Sequence, residues 1–498
     1  SLTNENKTNV FSWLNDYVDI ADDKSFRGSL NLNWKISKFL SYSLRTGGNI
    51  NINNRKRWYG MQLYQGMNND GYLTQSDLSK SNYSVENILN YNTKLGRIGT
   101  LDATAGVTYD EYHFLNKNVI GNHFTMFEFR ENGLHMAGNT IYSSPTQTDF
   151  QLLSYLGRVN VNLYDKYLLT ASIRADGSSK FAKSNRWGYF PSGSVAWRME
   201  QEEFLKDASW LSQLKVRISY GVTGNQAISP YSTFSMYGQS SGSPISYADG
   251  SGNQLTSMIV TNLANNSLKW EQTASWNFGV DFGLFNSRLS GTFDYYIKKT
   301  DDLLISRPLP GSSGFGSTYY NQGGLDNKGV EFAINAVPVH TKNWKWTVGM
   351  NYTWNDSKIT KLNVVDSEAN FVQTGAISGT GKTVQVFMVG ERPYTFYLAK
   401  QAYDDNGKPI EGQYVQPDGS VSATETKYAT NKSALPESYL GFNTQLSYKN
   451  WDFAISGHGA FGNYVYNYIA ADQYVQSVYS DQGNFSNILS RTKATGFQ

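Results

Sequence analysis

Apolar and polar residues alternate one for one along much of this chain. In "NSRLSGTFDYYIKK", Leu289, Gly291, Phe293, Tyr295 and Ile297 share one face; Arg288, Ser290, Thr292, Asp294, Tyr296 and Lys298 share the other. A period of two is that of a β-strand, whose side chains point to opposite faces in turn. "TASWNFGVDFGLF" gathers Ala274, Trp276, Phe278, Val280, Phe282 and Leu284, and "NWKWTVGMNYTW" gathers Trp344, Trp346, Val348, Met350, Tyr352 and Trp354. "KYLLTASIRAD" sets Tyr167, Leu169, Ala171 and Ile173 against Thr170, Ser172, Arg174 and Asp176. The pattern predicts about fourteen strands, near 26–37, 39–52, 84–95, 98–112, 149–164, 166–176, 188–200, 212–222, 270–284, 287–300, 326–339, 344–356, 437–448 and 451–462.

Alternation alone does not say which face is buried, because a soluble sandwich strand alternates too. Strand length, end residues and connections decide between them. The segments run about 10–14 residues, the length that crosses a bilayer at a tilt. Aromatics such as Trp344, Trp354, Tyr448 and Trp451 crowd the strand ends, where interfacial girdles sit. Connections alternate between tight turns (164–166, 285–287, 340–343, 448–451) and long polar loops (53–83, 113–148, 223–269, 301–325, 357–436). One exception, "QEEFLKDASWLS" at 201–212, reads as a brief helical or looped excursion on the short-turn side.

The expected fold is therefore all-β, a transmembrane antiparallel β-barrel with short periplasmic turns and long extracellular loops. With the apolar face toward lipid, Arg174, Asp176, Arg198, Lys215, Arg217, Arg288, Asp294 and Lys298 face the lumen. The alternative is a soluble or surface-attached β-rich protein for glycan binding or adhesion.

Composition agrees with a membrane β-protein. Charged residues are only 17% against about 25% in soluble domains, while aromatics reach 15%, led by 35 Tyr. Lys plus Arg is 43 and Asp plus Glu 41, so no basic footprint for nucleic acid is present. No apolar run approaches the roughly 18 residues of a membrane helix. The chain has no Cys, which excludes disulfides, thiolate catalysis and Cys-bearing zinc sites.

Three motifs imitate chemistry. "AISGTGKT" (Ala376–Thr383) fits the loose phosphate-loop pattern, but β-branched and aromatic residues follow where a helix must start. "GQSSG" (Gly238–Gly242) fits the nucleophile-elbow spacing inside a Ser- and Gly-rich loop, without the strand-to-helix turn it needs. "DDNGKPIEG" (404–412) lacks the ligand spacing of a calcium loop, and its Asn406-Gly407 reads as a type I′ hairpin turn. The five His are scattered, and adjacent carboxylates such as Asp301–Asp302 have no specified partner. No catalytic residue, metal site or cofactor is expected. Large rings in the long loops, Trp58, Tyr59, Tyr64, Tyr319 and Tyr320, are the expected substrate contacts, since flat aromatic faces suit sugar rings and peptide side chains.

A longer stretch carries a family resemblance. Arg174–Ser179, Asn185–Gly188, Phe190–Ser192, Ala196–Arg198, Leu214–Arg217, Ser219–Gly221 and Thr223–Gln226 stand in order within 174–231, and "NQGGLDNKGVEF" spans Asn321–Phe332. This arrangement resembles the SusC/RagA-like TonB-dependent transporters. The resemblance implies a barrel of about 22 strands occluded by an N-terminal plug. It further implies import of oligosaccharides or oligopeptides across the outer membrane of Bacteroidetes-type bacteria. A SusD-like surface lipoprotein would cap the barrel, and the TonB–ExbB–ExbD complex would energise it through the plug. Residues 1–498 are expected to be a portion of that barrel, with the plug and the C-terminal strands outside this chain.

Overall fold

A computed structural model of the protein describes residues 10–143, 145–238, 246–248, 254–256, 259–362, 371–377 and 383–467. Fourteen long strands form one antiparallel sheet in chain order, each bonded to the next. They are β1 (Tyr17–Lys35), β2 (Leu40–Tyr59), β3 (Tyr72–Lys94), β4 (Gly99–Phe124), β5 (Thr146–Leu163), β6 (Tyr167–Ser178) and β7 (Trp187–Arg198). Then follow β8 (Leu211–Asn225), β9 (Glu271–Leu284), β10 (Leu289–Pro308), β11 (Ser317–His340), β12 (Trp344–Leu362), β13 (Ser438–Tyr448) and β14 (Trp451–Phe461). Each of the fourteen predicted segments falls on one of them.

Cross-strand register makes the two faces continuous. Asp281 pairs with Lys215 and Thr292, and Gly279 with Arg217 and Asp294, so these residues share one face. The same parity carries Ser192 and Ser219 into it, and beyond β10 it carries Glu331, Thr353 and Tyr439. The opposite face holds Ile218, Trp276, Phe293, Ile297, Met350 and Phe442, all exposed although apolar. An apolar surface left open over so many neighbouring strands would be costly in water and is at home in lipid. No helix of the described residues is long and apolar enough to cross a membrane.

Strand lengths depart from expectation. β3 has 23 residues and β4 has 26, so most of the predicted loops 53–83 and 113–148 are strand. On β1 the apolar row runs from Trp34 through Leu32 and Leu30 to Phe26, and then gives way to Lys24 and Asp22 on the same face. Beyond that level polar residues predominate on both faces, with apolar ones such as Ile52, Leu115 and Phe114 scattered over either, which weakens the contrast by which a strand is recognised while leaving the backbone ladder intact.

The short-turn end is built as expected. Tyr164 and Asp165, then Phe285, Asn286 and Ser287, adopt left-handed backbone in the tight connections after β5 and β9. The segment after β7 makes two single 3₁₀ turns, Met199–Gln201 and Glu203–Leu205. Between β12 and β13 lie a four-stranded and a three-stranded sheet. In the latter the predicted type I′ turn is corrected: Gly407 alone has positive φ (76°). Asp404 Oδ1 instead accepts the backbone N–H groups of Asn406 and Lys408 at 2.9 and 2.8 Å, an Asx-type closure.

Candidate functional site

The polar face carries the charged groups, and most of them are tied to one another. Arg217 donates from Nη2 to Asp294 at 2.7 Å, from Nε to Asp281 at 3.1 Å and from Nη1 to Asn277 at 3.3 Å. Lys215 also reaches Asp281, at 2.5 Å. The guanidinium lies flat across Gly279, where a Cβ would stand 2.4 Å from Arg217 Cζ. Two strands away, Arg174 bonds Asp176 at 2.7 Å and the buried Ser154 at 2.9 Å. Lys298 sits 4.6 Å over the Tyr296 ring, whose hydroxyl donates to Asn355 at 2.8 Å. This wall is therefore a mosaic of satisfied pairs rather than a field of free charge.

Arg288 needs correction. Its parity is that of the polar face, but it closes the turn between β9 and β10. Its guanidinium donates to the carbonyls of Val337 and Pro338 at 3.3 and 3.1 Å, holding the short-turn rim. Arg198 is likewise near that rim, paired with Glu200 at 3.0 Å. Glu202 follows in the same segment and accepts from Lys166 at 2.8 Å, Tyr167 at 2.9 Å and Trp197 at 3.0 Å. The Lys166 ammonium, then the Trp197 and Tyr167 donors, hold its carboxyl down at about 2.

The ring candidates separate. Trp58 is not a loop residue; it is the penultimate residue of β2, is 1% exposed, and packs with Leu73 and Phe124. Its ring meets Phe124 edge-on at 5.0 Å. The physical reason is that β3 and β4 continue past the apolar belt and close over it. Tyr59 joins Tyr17 and Tyr72 in an aromatic cluster at 5.0 and 5.8 Å. Burial and the nearby Tyr59 and Asp19 push the Tyr17 hydroxyl up to about 12. Tyr64 lies half-buried on a one-turn helix, Tyr64–Met67. Tyr319 packs against a second core of Phe181, Phe190, Ile228, Leu268 and Trp270. Tyr320 carries the Arg307 guanidinium 5.7 Å over its ring.

The motifs that imitate chemistry dissolve. Ala376 and Thr383 pair across an antiparallel hairpin, and Thr383 opens the strand Thr383–Met388 where a phosphate loop requires a helix. Residues 378–382 of that motif, and 239–242 of the elbow-like one, lie outside the described residues.

Sequence reading missed a stacked pair on the polar face, Tyr112 and Phe150, with centroids 5.0 Å apart at 25°. They come from different strands, β4 and β5, so only the register reveals them. It also passed over Asp281, although the parity of "NFGVDFG" places it opposite the apolar row.

With this geometry in view, comparison with known proteins is direct. Residues 2–456 match the family described as TonB dependent receptor-like, beta-barrel. The TonB-dependent receptor SusC of Bacteroides thetaiotaomicron is 36% identical over 402 residues, 80% of this chain and 39% of that protein. The TonB-dependent receptor P3 of Formosa agariphila is 30% identical over 469 residues, 91% of this chain and 44% of that one. Among solved structures, the RagAB peptide transporter superposes with a TM-score of 0.76 at 25% identity, covering 89% of this chain and 48% of the other. The chain thus spans less than half the length of these relatives, which are receptors and a transporter rather than enzymes. Apolar belt, polar wall and alternating turns agree with the match: the chain belongs to the β-barrel of the TonB-dependent receptors, SusC/RagA type, in the outer membrane.

Proposed function

We propose that the chain is the wall section of an active transporter that imports a bulky nutrient, an oligosaccharide or an oligopeptide. A SusD-like surface lipoprotein would cap it, and TonB–ExbB–ExbD would drive it through a plug. One observation carries the reading: the polar face continues across all fourteen strands behind an outward apolar belt. An interior of that breadth is too wide to be filled by its own side chains and holds water, a plug or a solute. The covered shares of 39–48% of the relatives support a section of a larger barrel, with the plug supplied by other sequence.

In this reading Arg174, Asp176, Arg217, Asp294 and Lys298 line the lumen, while Tyr59, Tyr64, Tyr319 and Tyr320 border its outer mouth. Trp58 supports that mouth from within the wall. The soluble adhesion alternative is disfavoured by the apolar belt, which would stand in water.

The test is purification of the full-length protein from outer membranes in mild detergent, with mass spectrometry of everything that accompanies it. A stoichiometric SusD-like lipoprotein, together with nutrient uptake that stops when TonB is deleted, is the expected result. A protein that stays soluble without detergent and travels alone would end the proposal.

A further inference from the structure

The polar wall is not uniform. Among the described residues, the charges of β6 to β10 are mostly paired, but one region of β1 to β5 is different. There the register aligns Arg27, Asn49, Asn82, Tyr112 and Phe150 in a single cross-strand row. Four inter-strand steps make this row about 19 Å long. The next row toward the short turns is small in its middle, Ser29, Gly47 and Ser84, and then Asp110. Large residues above small ones leave a ledge, a depression of about 430 Å³. That volume is within the range of small-molecule sites.

Its polar groups are unspent. None of Arg27, Asn49, Asn82, Asp110 or the Tyr112 hydroxyl has a hydrogen-bond or ion-pair partner among the described residues. Asn49 Oδ1 is shielded and unbonded, an acceptor that lacks a donor. The aromatic end is held firm: Lys80 lies 5.6 Å from the Tyr112 ring centre and Lys180 lies 4.7 Å from that of Phe150. Lys180 is itself anchored to the Gln226 carbonyl at 3.4 Å.

We infer that this ledge is a lumen subsite for a neutral oligosaccharide, lying across β1 to β4 against the Tyr112–Phe150 pair. The inference rests on the transporter reading. A simple anion would be opposed by Asp110, and a cation by Arg27, in a site where the two are not paired to each other. Sugar hydroxyls both donate and accept, so one ligand can satisfy a guanidinium, two amides, a carboxylate and a phenol together. The long row suits a chain of rings rather than a single one.

Gly47 provides a clean probe. A Cβ there meets Gly28 O at 3.6 Å, Ser29 Cβ at 3.7 Å and Ser84 Oγ at 3.8 Å, all ordinary contacts, so a larger side chain fills the ledge without moving the strand. The full-length transporter with its lid would be titrated calorimetrically with neutral hexasaccharides (maltohexaose, cellohexaose, mannohexaose, xylohexaose) and with an equimolar mixture of neutral hexapeptides. The same titrations would be run on Gly47→Leu and Asn82→Ala, each first shown to assemble by heat-modifiable migration. Expected is binding of at least one hexasaccharide by the parent and at least tenfold weaker binding by both variants. Saccharide binding that both variants leave unchanged overturns the subsite and leaves the transporter standing. Peptide binding alone, or binding of none of the saccharides, overturns the ligand class. Loss of the lid and of TonB-dependent uptake would instead sink the underlying reading.

Discussion

Replacing Gly279 by alanine perturbs a tight side-chain crossing on the polar wall. The new Cβ would stand 2.4 Å from Arg217 Cζ and 2.6 Å from Nη1. Carbon contacts settle near 3.5–4.0 Å, so the guanidinium must withdraw by roughly 1 Å. At stake are its bonds to Asp294 (2.7 Å) and Asp281 (3.1 Å). A charge-assisted bond contributes about 1.5–3 kcal/mol. The Arg217 side chain is 31% exposed, and water will replace part of what is lost. Lys215 also keeps its own hold on Asp281. The expected net cost is therefore about 2 kcal/mol. Urea unfolding of the full-length protein in lipid nanodiscs would measure it, in a cycle with Arg217→Ala. If the crossing is the mechanism, Gly279→Ala costs less than about 0.5 kcal/mol once Arg217 is gone. An equal cost in both backgrounds refutes the argument and assigns the effect to the backbone.

Val280→Arg, at the centre of the outward row Trp276–Leu284, should cost about 2–4 kcal/mol and reduce the assembled, heat-modifiable fraction. Thr353→Arg, inward beside Glu331, should leave assembly near normal; similar losses at both sites would contradict the assignment of faces. Glu202 titrates at about 2 in the folded protein against an ordinary 4.5, so its stabilisation is full above 4.5 and is lost as pH falls toward 2. The difference in urea midpoint between the parent and Glu202→Gln should hold steady at pH 5–7 and shrink below that; a difference that grows on acidification has the wrong sign. Trp58→Ala should destabilise the outer end of the wall by about 3–5 kcal/mol, read as faster hydrogen exchange in β2 to β4. Unchanged exchange with weakened nutrient binding would return Trp58 to the ligand contacts.

Within the bilayer the sequence is an unusually direct record of structure. One side of each strand meets lipid and the other water, so the parity of Phe278, Asp294 and Arg217 could be assigned without coordinates. That record stops where the solvent becomes the same on both sides. Lys80, Ser81, Asn82 and Tyr83 carry no face signal, yet they are ordinary strand residues in β3. Trp58 is hard to place for the same reason, since its cover comes from strands whose sequence carries a loop's pattern. Arg288 shows another limit: parity gives a direction but not where the ladder ends and the turn begins. The ledge between β1 and β5 was illegible, because its rows are assembled from residues up to 123 positions apart (Arg27 to Phe150) that only register brings together.

The length of β4 has a consequence for life at the cell surface. Its unbroken outward apolar row ends at Tyr109, and the 14 residues from Glu111 to Phe124 continue as strand. At about 3.3 Å per residue and a tilt near 40°, that is about 35 Å of hydrogen-bonded wall above the lipid. The entrance is thus carried on a stiff collar, clear of the headgroups and up among whatever polymers coat the cell. In the proposed transporter, a large nutrient would meet the protein before it meets the membrane.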